Sequence, residues 1–166
     1  MSIALRSATA ADTTTLLEIQ REASLAAFPH IFPPGRYPFP SEQILRAWEE
    51  LLAEPDVRVL IAERNGHPVG IAAYAPGRFD QLWVVPSEWG SGLSQVVYEE
   101  VLKGLRELRS GVCRLWVLAE NHRARRFYER RGWRPDGRRM RTPYPPNPER
   151  VGYSLETSEH SRKLRP

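Results

Sequence analysis

The stretch Val84-Val85-Pro86-Ser87-Glu88-Trp89-Gly90-Ser91-Gly92-Leu93-Ser94 decides how this chain folds and what it can hold. Apolar residues end a strand at Val85, Pro86 interrupts it, and Gly90 and Gly92 make a turn. Leu93, Val97, Val101 and Leu105 then recur every fourth residue, as on one face of a helix. A helix that begins just after such a turn presents unpaired N–H groups, and glycines let a ligand approach the backbone closely. The stretch therefore reads as a seat for a phosphate or diphosphate, or else as a plain connector between strand and helix. Two other glycine loops do not fit. A dinucleotide fingerprint needs a third glycine where Gln95 stands, and a Walker loop needs Gly-Lys-Ser/Thr at its end.

A second informative stretch follows: Leu115-Trp116-Val117-Leu118-Ala119-Glu120-Asn121-His122-Arg123-Ala124-Arg125-Arg126-Phe127-Tyr128-Glu129-Arg130-Arg131-Gly132-Trp133. A buried-looking strand feeds a short helix through Asn121, and Gly132 stops that helix. Ala124, Phe127 and Tyr128 share one helix face at i, i+3 and i+4. On residue type alone, Tyr128 reads equally as a core residue with its hydroxyl at the edge.

Working outward, strands are predicted over 3–7, 57–64, 67–74, 79–85, 112–118, 137–141 and 151–155. Asn65-Gly66 forms the turn of the first hairpin, since a type I′ turn needs positive φ at both central residues. Helices are predicted from a Thr9 cap to about 26, from a Ser41 cap to about 53, over 91–109 and over 121–131. The Thr9–Asp12 spacing is that of a capping box with Asp in place of Glu. Prolines 29, 33, 34, 38 and 40 keep residues 28–40 out of regular helix. Four prolines between Thr142 and Pro148 make the last connector long and stiff. This order of elements implies an α/β sheet with helices on both faces, formed by one domain over 1–156 and followed by a basic disordered tail over 157–166.

The two glycine- and Asn-led stretches together resemble the acetyl-CoA site of the GNAT N-acetyltransferases. The first is similar to the family's Gln/Arg-x-x-Gly-x-Gly/Ala pyrophosphate motif, with Trp89 in place of Gln or Arg and Ser94 in place of Gly or Ala. The second resembles its Asn-x-x-Ala-x-x-Phe-Tyr-x-x-x-Gly-Phe segment, closed here by Gly132-Trp133. The resemblance implies a GNAT fold, with a mixed, mostly antiparallel sheet of six to seven strands. It implies acetyl-CoA held by Val84, Val85, the amides of Trp89, Gly90, Ser91, Gly92, Leu93 and Ser94, and by Asn121, Ala124 and Phe127. Tyr128 would then protonate the departing thiolate. The family often has a Glu on the strand before the phosphate loop, where this chain offers Asp80. Asp80 through a water, or Glu120, is the candidate acceptor for the amine's proton. Aromatic rings on the two proline-rich loops, Phe28, Phe32, Tyr37 and Tyr144, are candidates to line the acceptor site. The implied reaction is acetylation of a small-molecule primary amine by direct attack. A protein or peptide acceptor, or a non-catalytic acyl-CoA-binding regulatory module, is the alternative.

Composition narrows the rest. The net charge is +4, only Lys103 and Lys163 among 24 basic residues are lysine, and nine arginines lie between Asn121 and Arg141. That cluster is a solvated face or a surface for a polyanion. Cofactor phosphates suit it better than nucleic acid, because no nucleic-acid motif or aromatic interleaving accompanies it. Cys113 is the sole cysteine, which excludes an internal disulfide. No apolar run approaches the ~20 residues of a membrane span. The N-terminus lacks a basic segment followed by an apolar one, so a cytoplasmic protein is expected. No metal is called for, and a homodimer is a possible assembly.

Overall fold

The computed structural model describes residues 2–157, and seven strands in it form one sheet. They are β1 (Ile3–Ser7), β2 (Arg58–Arg64), β3 (His67–Ala75), β4 (Arg78–Val84), β5 (Val112–Leu118), β6 (Arg134–Arg141) and β7 (Glu149–Glu156). The helices are α1 (Thr13–Ala27), α2 (Ser41–Ala53), α3 (Leu93–Glu107) and α4 (His122–Glu129). The spatial order is β1-β2-β3-β4-β5-β7-β6, and every neighbouring pair is antiparallel except β4–β5. This is the mixed, mostly antiparallel α/β sheet that the family resemblance implies.

Side chains of a strand alternate between faces, and the central strands use both. Ile61 and Ile71 pack with Leu16 and Ile19 of α1 and with Ile44 and Trp48 of α2 on one side. Ala62, Ala72 and Tyr74 pack with Leu93, Val97, Val101 and Leu105 of α3 on the other. Gly104 allows this second layer to close, because a Cβ there would lie 2.0 Å from the Tyr74 hydroxyl. On the first side, the buried Trp48 indole donates to Gln20 Oε1 at 2.7 Å and ties α2 to α1.

Local rules account for most boundaries. Asn65 and Gly66 have φ of 53° and 79°, as the hairpin turn requires. The Thr9–Asp12 capping box forms, and a 3₁₀ turn over Ala10–Asp12 leads into α1. Three expectations need correction. Ser41 is the first residue of α2 rather than its cap; Pro40 holds the cap position and supplies no side-chain acceptor. The β6 strand starts at Arg134, because Pro-Asp-Gly makes a register shift between Pro135 and Arg139 instead of a turn, with Gly137 at φ 87°. Thr157, assigned to the tail, is buried and its amide donates to the Gly111 carbonyl at 2.9 Å. The rest of the expected tail, 158–166, lies outside the described residues.

Candidate active site

Among the described residues, the β4 and β5 strands meet in register only at Arg78 and Arg114, where the Arg114 amide donates to the Gly77 carbonyl at 3.0 Å. Beyond that point both strands continue, to Val84 and Leu118, without pairing. Parallel strands that part leave an opening at their carboxyl ends, where α/β sheets commonly hold ligands. Both helices that follow these strands, α3 and α4, start at that open end.

The glycine turn combines left-handed backbone with amides that have no acceptor among the described residues. Gly90 and Gly92 have φ of 82° and 89°, a region open to glycine at little cost. A Cβ on either would meet no protein atom within 4 Å, so the space above the turn is clear. The amides divide into two sets. Trp89 donates to Pro86 (3.1 Å), Ser91 to Glu88 (3.0 Å) and Leu93 to the Ser91 hydroxyl (3.2 Å). The amides of Gly90, Gly92, Ser94 and Gln95 have no acceptor among the described residues. The expected run of six available amides is therefore an alternating set, extended by Gln95. Two cations border it. The Arg123 guanidinium lies 4.4 Å from the centre of the Trp89 ring, and Arg131 donates to Gln95 Oε1 at 2.7 Å. The positive end of the α3 dipole adds to them.

Val84 and Val85 differ in the same way. The Val85 amide donates to Val69 of β3 (3.0 Å) and its carbonyl accepts from Glu88, so neither group of Val85 faces the opening. By alternation, the backbone groups of Val84 point the other way. Its carbonyl accepts from the Trp89 indole at 3.1 Å, which gives the tryptophan at the motif's first position a structural use.

On the β5 side, Asn121 caps α4, its side-chain oxygen accepting from the Ala124 amide at 3.2 Å. Arg125 donates to the Tyr153 hydroxyl, which donates to Glu129, so α4 is fixed to β7. This holds Tyr128 among Phe79, Phe127 and Trp133, with ring centres 5.4–6.0 Å away. Burial raises its hydroxyl well above the ordinary phenol value, and the neighbouring Tyr98 adds to the shift. That hydroxyl makes no hydrogen bond to the described residues, yet Tyr128 lines the opening together with Asn121 and Ala124. Phe127 is half-buried and covered by the Arg131 guanidinium, 3.5 Å from its ring centre.

The opening continues across the sheet into a cleft of about 1020 Å³ walled by the two proline-rich loops. Phe28, Phe32, Tyr37 and Tyr144 all line it, as does Asp80. His30 Nε2 lies 3.3 Å from the Glu120 carbonyl, which joins the 28–40 loop to the far side of the opening. Both Asp80 oxygens accept from Arg78 Nε at 2.8 and 2.9 Å, and Arg78 also donates to Glu54. Glu120 does not line the cleft; its carboxylate pairs with His122 at 3.3 Å on the surface. Sequence reasoning overlooked Gln95, Trp116 and Arg150. The alternation of Arg150 with Val151 and Tyr153 could have placed it on the cleft face, opposite the core. Among the described residues, no helix is long and apolar enough to cross a membrane. No group of three or more His, Cys, Asp or Glu there could hold a metal ion.

Comparison with known proteins places this geometry in context. The model of the acetyltransferase (GNAT) family matches residues 18–133. An uncharacterized N-acetyltransferase of Archaeoglobus fulgidus is 33% identical over 89 residues, 47% of this chain and 60% of that protein. One of Mycobacterium tuberculosis is 28% identical over 127 residues, 72% of this chain and 80% of its own. Among solved structures, the PaiA N-acetyltransferase of Thermoplasma acidophilum in complex with coenzyme A superposes with a TM-score of 0.72 at 18% identity, covering 94% of this chain and 99% of that one. At that identity the likeness speaks for the fold.

Proposed function

The chain belongs to the GNAT acetyltransferase family, and on that premise we propose that it transfers an acetyl group from acetyl-CoA to the primary amine of a small molecule. The observation that carries this reading is the position of Tyr128. Tyr128, whose hydroxyl has no hydrogen-bond partner among the described residues, lines the aromatic-walled cleft with Asn121 and Ala124, while the amides of Gly90, Gly92, Ser94 and Gln95, without an acceptor among those residues, follow the carboxyl end of β4. The Thermoplasma protein, which shares the fold, was solved in complex with coenzyme A, which supports acetyl-CoA as the acyl donor.

Acetyl-CoA supplies an acyl group already activated as a thioester; this chain's residues do the rest. The amides of Gly90, Gly92, Ser94 and Gln95 hold the diphosphate. The Val84 N–H, turned away from β3, donates to the acyl oxygen. Asn121, Ala124 and Phe127 flank the pantetheine arm. Tyr128, kept protonated by burial, holds the proton for the departing sulfur. Asp80, fixed by Arg78, attracts the cationic amine, and solvent in the cleft takes the amine's proton.

A small acceptor is favoured over a peptide because the 28–40 loop bridges to Glu120 on one side of the cleft and Tyr144 closes another. The test is release of free thiol from acetyl-CoA across amines, polyamines, aminoglycosides, amino acids and peptides. Release with a small amine, faster than with any peptide, is expected. Turnover of peptides alone would make the chain a protein acetyltransferase. Coenzyme A binding without any turnover would make it a regulatory module.

A further inference from the structure

Arg150 stands opposite Leu118 in the β5–β7 register, on the face of the sheet that lines the cleft. Its guanidinium is half-buried and lies 5.3 Å from the centre of the Trp116 ring. Its one hydrogen-bond acceptor among the described residues is Met140 Sδ, at 3.0 Å, a weak one. Its Nε is buried with no hydrogen-bond partner among the described residues. A guanidinium carries five donors, and withdrawing it from water without an anion is costly.

The carboxylates that could answer it are engaged elsewhere. Asp80 and Glu54, the acids of the cleft, both bind Arg78. Arg138, which also lies against Trp116 at 4.5 Å, has its own partner in Asp136 at 2.8 Å. Gly152 lets that pair lie flat on the sheet, since a Cβ there would come within 2.6 Å of Asp136 and 2.7 Å of Arg138. Asp136 is thus held away from Arg150. Burial pulls the Arg150 guanidinium below the ordinary arginine value, and the Tyr144 phenol opposes that shift. Tyr144 is fixed in turn, its carbonyl accepting from Thr142 Oγ1 (3.2 Å) and the Asn147 amide (2.7 Å).

We infer that the acceptor amine also carries a carboxylate, and that Arg150 receives it beside Trp116 and Tyr144. The planar guanidinium fork matches a carboxylate in two-point geometry, and the rings restrict approach to one edge. The acceptor class is then amino acids and their relatives rather than simple amines or polyamines. This inference rests on the acetyl-transfer reading of the same cleft.

The test is calorimetric titration of coenzyme A-saturated protein with matched pairs: L-phenylalanine against 2-phenylethylamine, L-tryptophan against tryptamine, and L-leucine against 3-methylbutylamine. At least one acid should bind about tenfold more tightly than its decarboxylated partner. Arg150→Gln should bring that ratio to within about twofold, and Arg150→Lys should retain part of it. Equal binding within every pair, no binding by any acid, or an unchanged ratio in Arg150→Gln would overturn the assignment. Coenzyme A titrated alone into each variant should bind as to the parent, which establishes that the variant is folded. Loss of coenzyme binding in the parent protein, with the carboxylate preference intact, would instead remove the acetyl-transfer reading and leave the Arg150 site standing.

Discussion

Arg78 and Arg114 stand opposite each other at the only register position joining β4 to β5 among the described residues. The Arg114 amide bonded to the Gly77 carbonyl holds the strands together there, and the Arg78 guanidinium pairs with Asp80 and Glu54. Asp80, which lines the cleft, is therefore part of an ion pair beside that sheet contact. Replacing Asp80 by Asn should raise KM for the amine more than it lowers kcat, with less than about a tenfold loss in kcat and no displacement of the pH–rate profile. A general base would show a loss of about 10²-fold or more and a shifted acidic limb. Steady-state kinetics from pH 6 to 9 separate the two.

Tyr128→Phe should lower kcat by about 10²–10⁴-fold and leave coenzyme A affinity unchanged, as measured by calorimetry. Burial holds the hydroxyl above the ordinary phenol range, so it stays protonated across neutral and moderately alkaline pH. Any alkaline limb in the parent's rate profile must come from another group.

Gly92→Ala tests the turn. The residue has φ of 89° with open space above it, so the added methyl meets no neighbour and the cost is conformational. A non-glycine residue there costs about 1–2 kcal/mol. The thermal midpoint should fall modestly, and coenzyme A affinity should fall with it as the amides of Gly92 and Ser94 shift. Unchanged affinity in the variant would mean that this turn does not carry the diphosphate.

The sequence carried those parts of the fold that obey local rules. Asn65-Gly66 fixed a hairpin, the fourfold spacing from Leu93 to Leu105 fixed a helix, and the glycine and Asn-led stretches carried the resemblance to the GNAT family. The misses arise where tertiary structure overrides a local signal. Pro135-Asp136-Gly137 has turn chemistry, yet β7 draws it into a bulged edge strand. Ser41 suits a cap, yet Pro40 takes that position. Which amides of residues 89–95 remain free depends on the turn's internal hydrogen bonds, which composition cannot reveal. Arg150 was hidden among many arginines until the register placed it on the cleft face.

The base of α1 gives a pH prediction. Hydrogen bonds from Arg6, then from the Thr9 backbone, lower the Asp12 carboxyl from 3.8 to about 2. Because the folded-state value is the depressed one, the stabilisation is present above the unfolded value and is lost as pH falls through the folded one. Denaturant midpoints should therefore decline as pH drops from about 4 to about 2. Asp12→Asn should be less stable than the parent at pH 5 and should decline less steeply over that interval. A parallel decline in both proteins would assign the acid sensitivity to other carboxyls.

Amide resonances of ¹⁵N-labelled protein, followed during titration with coenzyme A, report on the diphosphate seat itself. The largest shifts should fall on Gly90, Gly92, Ser94, Gln95 and Val84, with Trp89, Ser91 and Val85, whose amides are already bonded within the chain, moving less. Saturating coenzyme that left the four free amides of the turn unmoved would contradict the account.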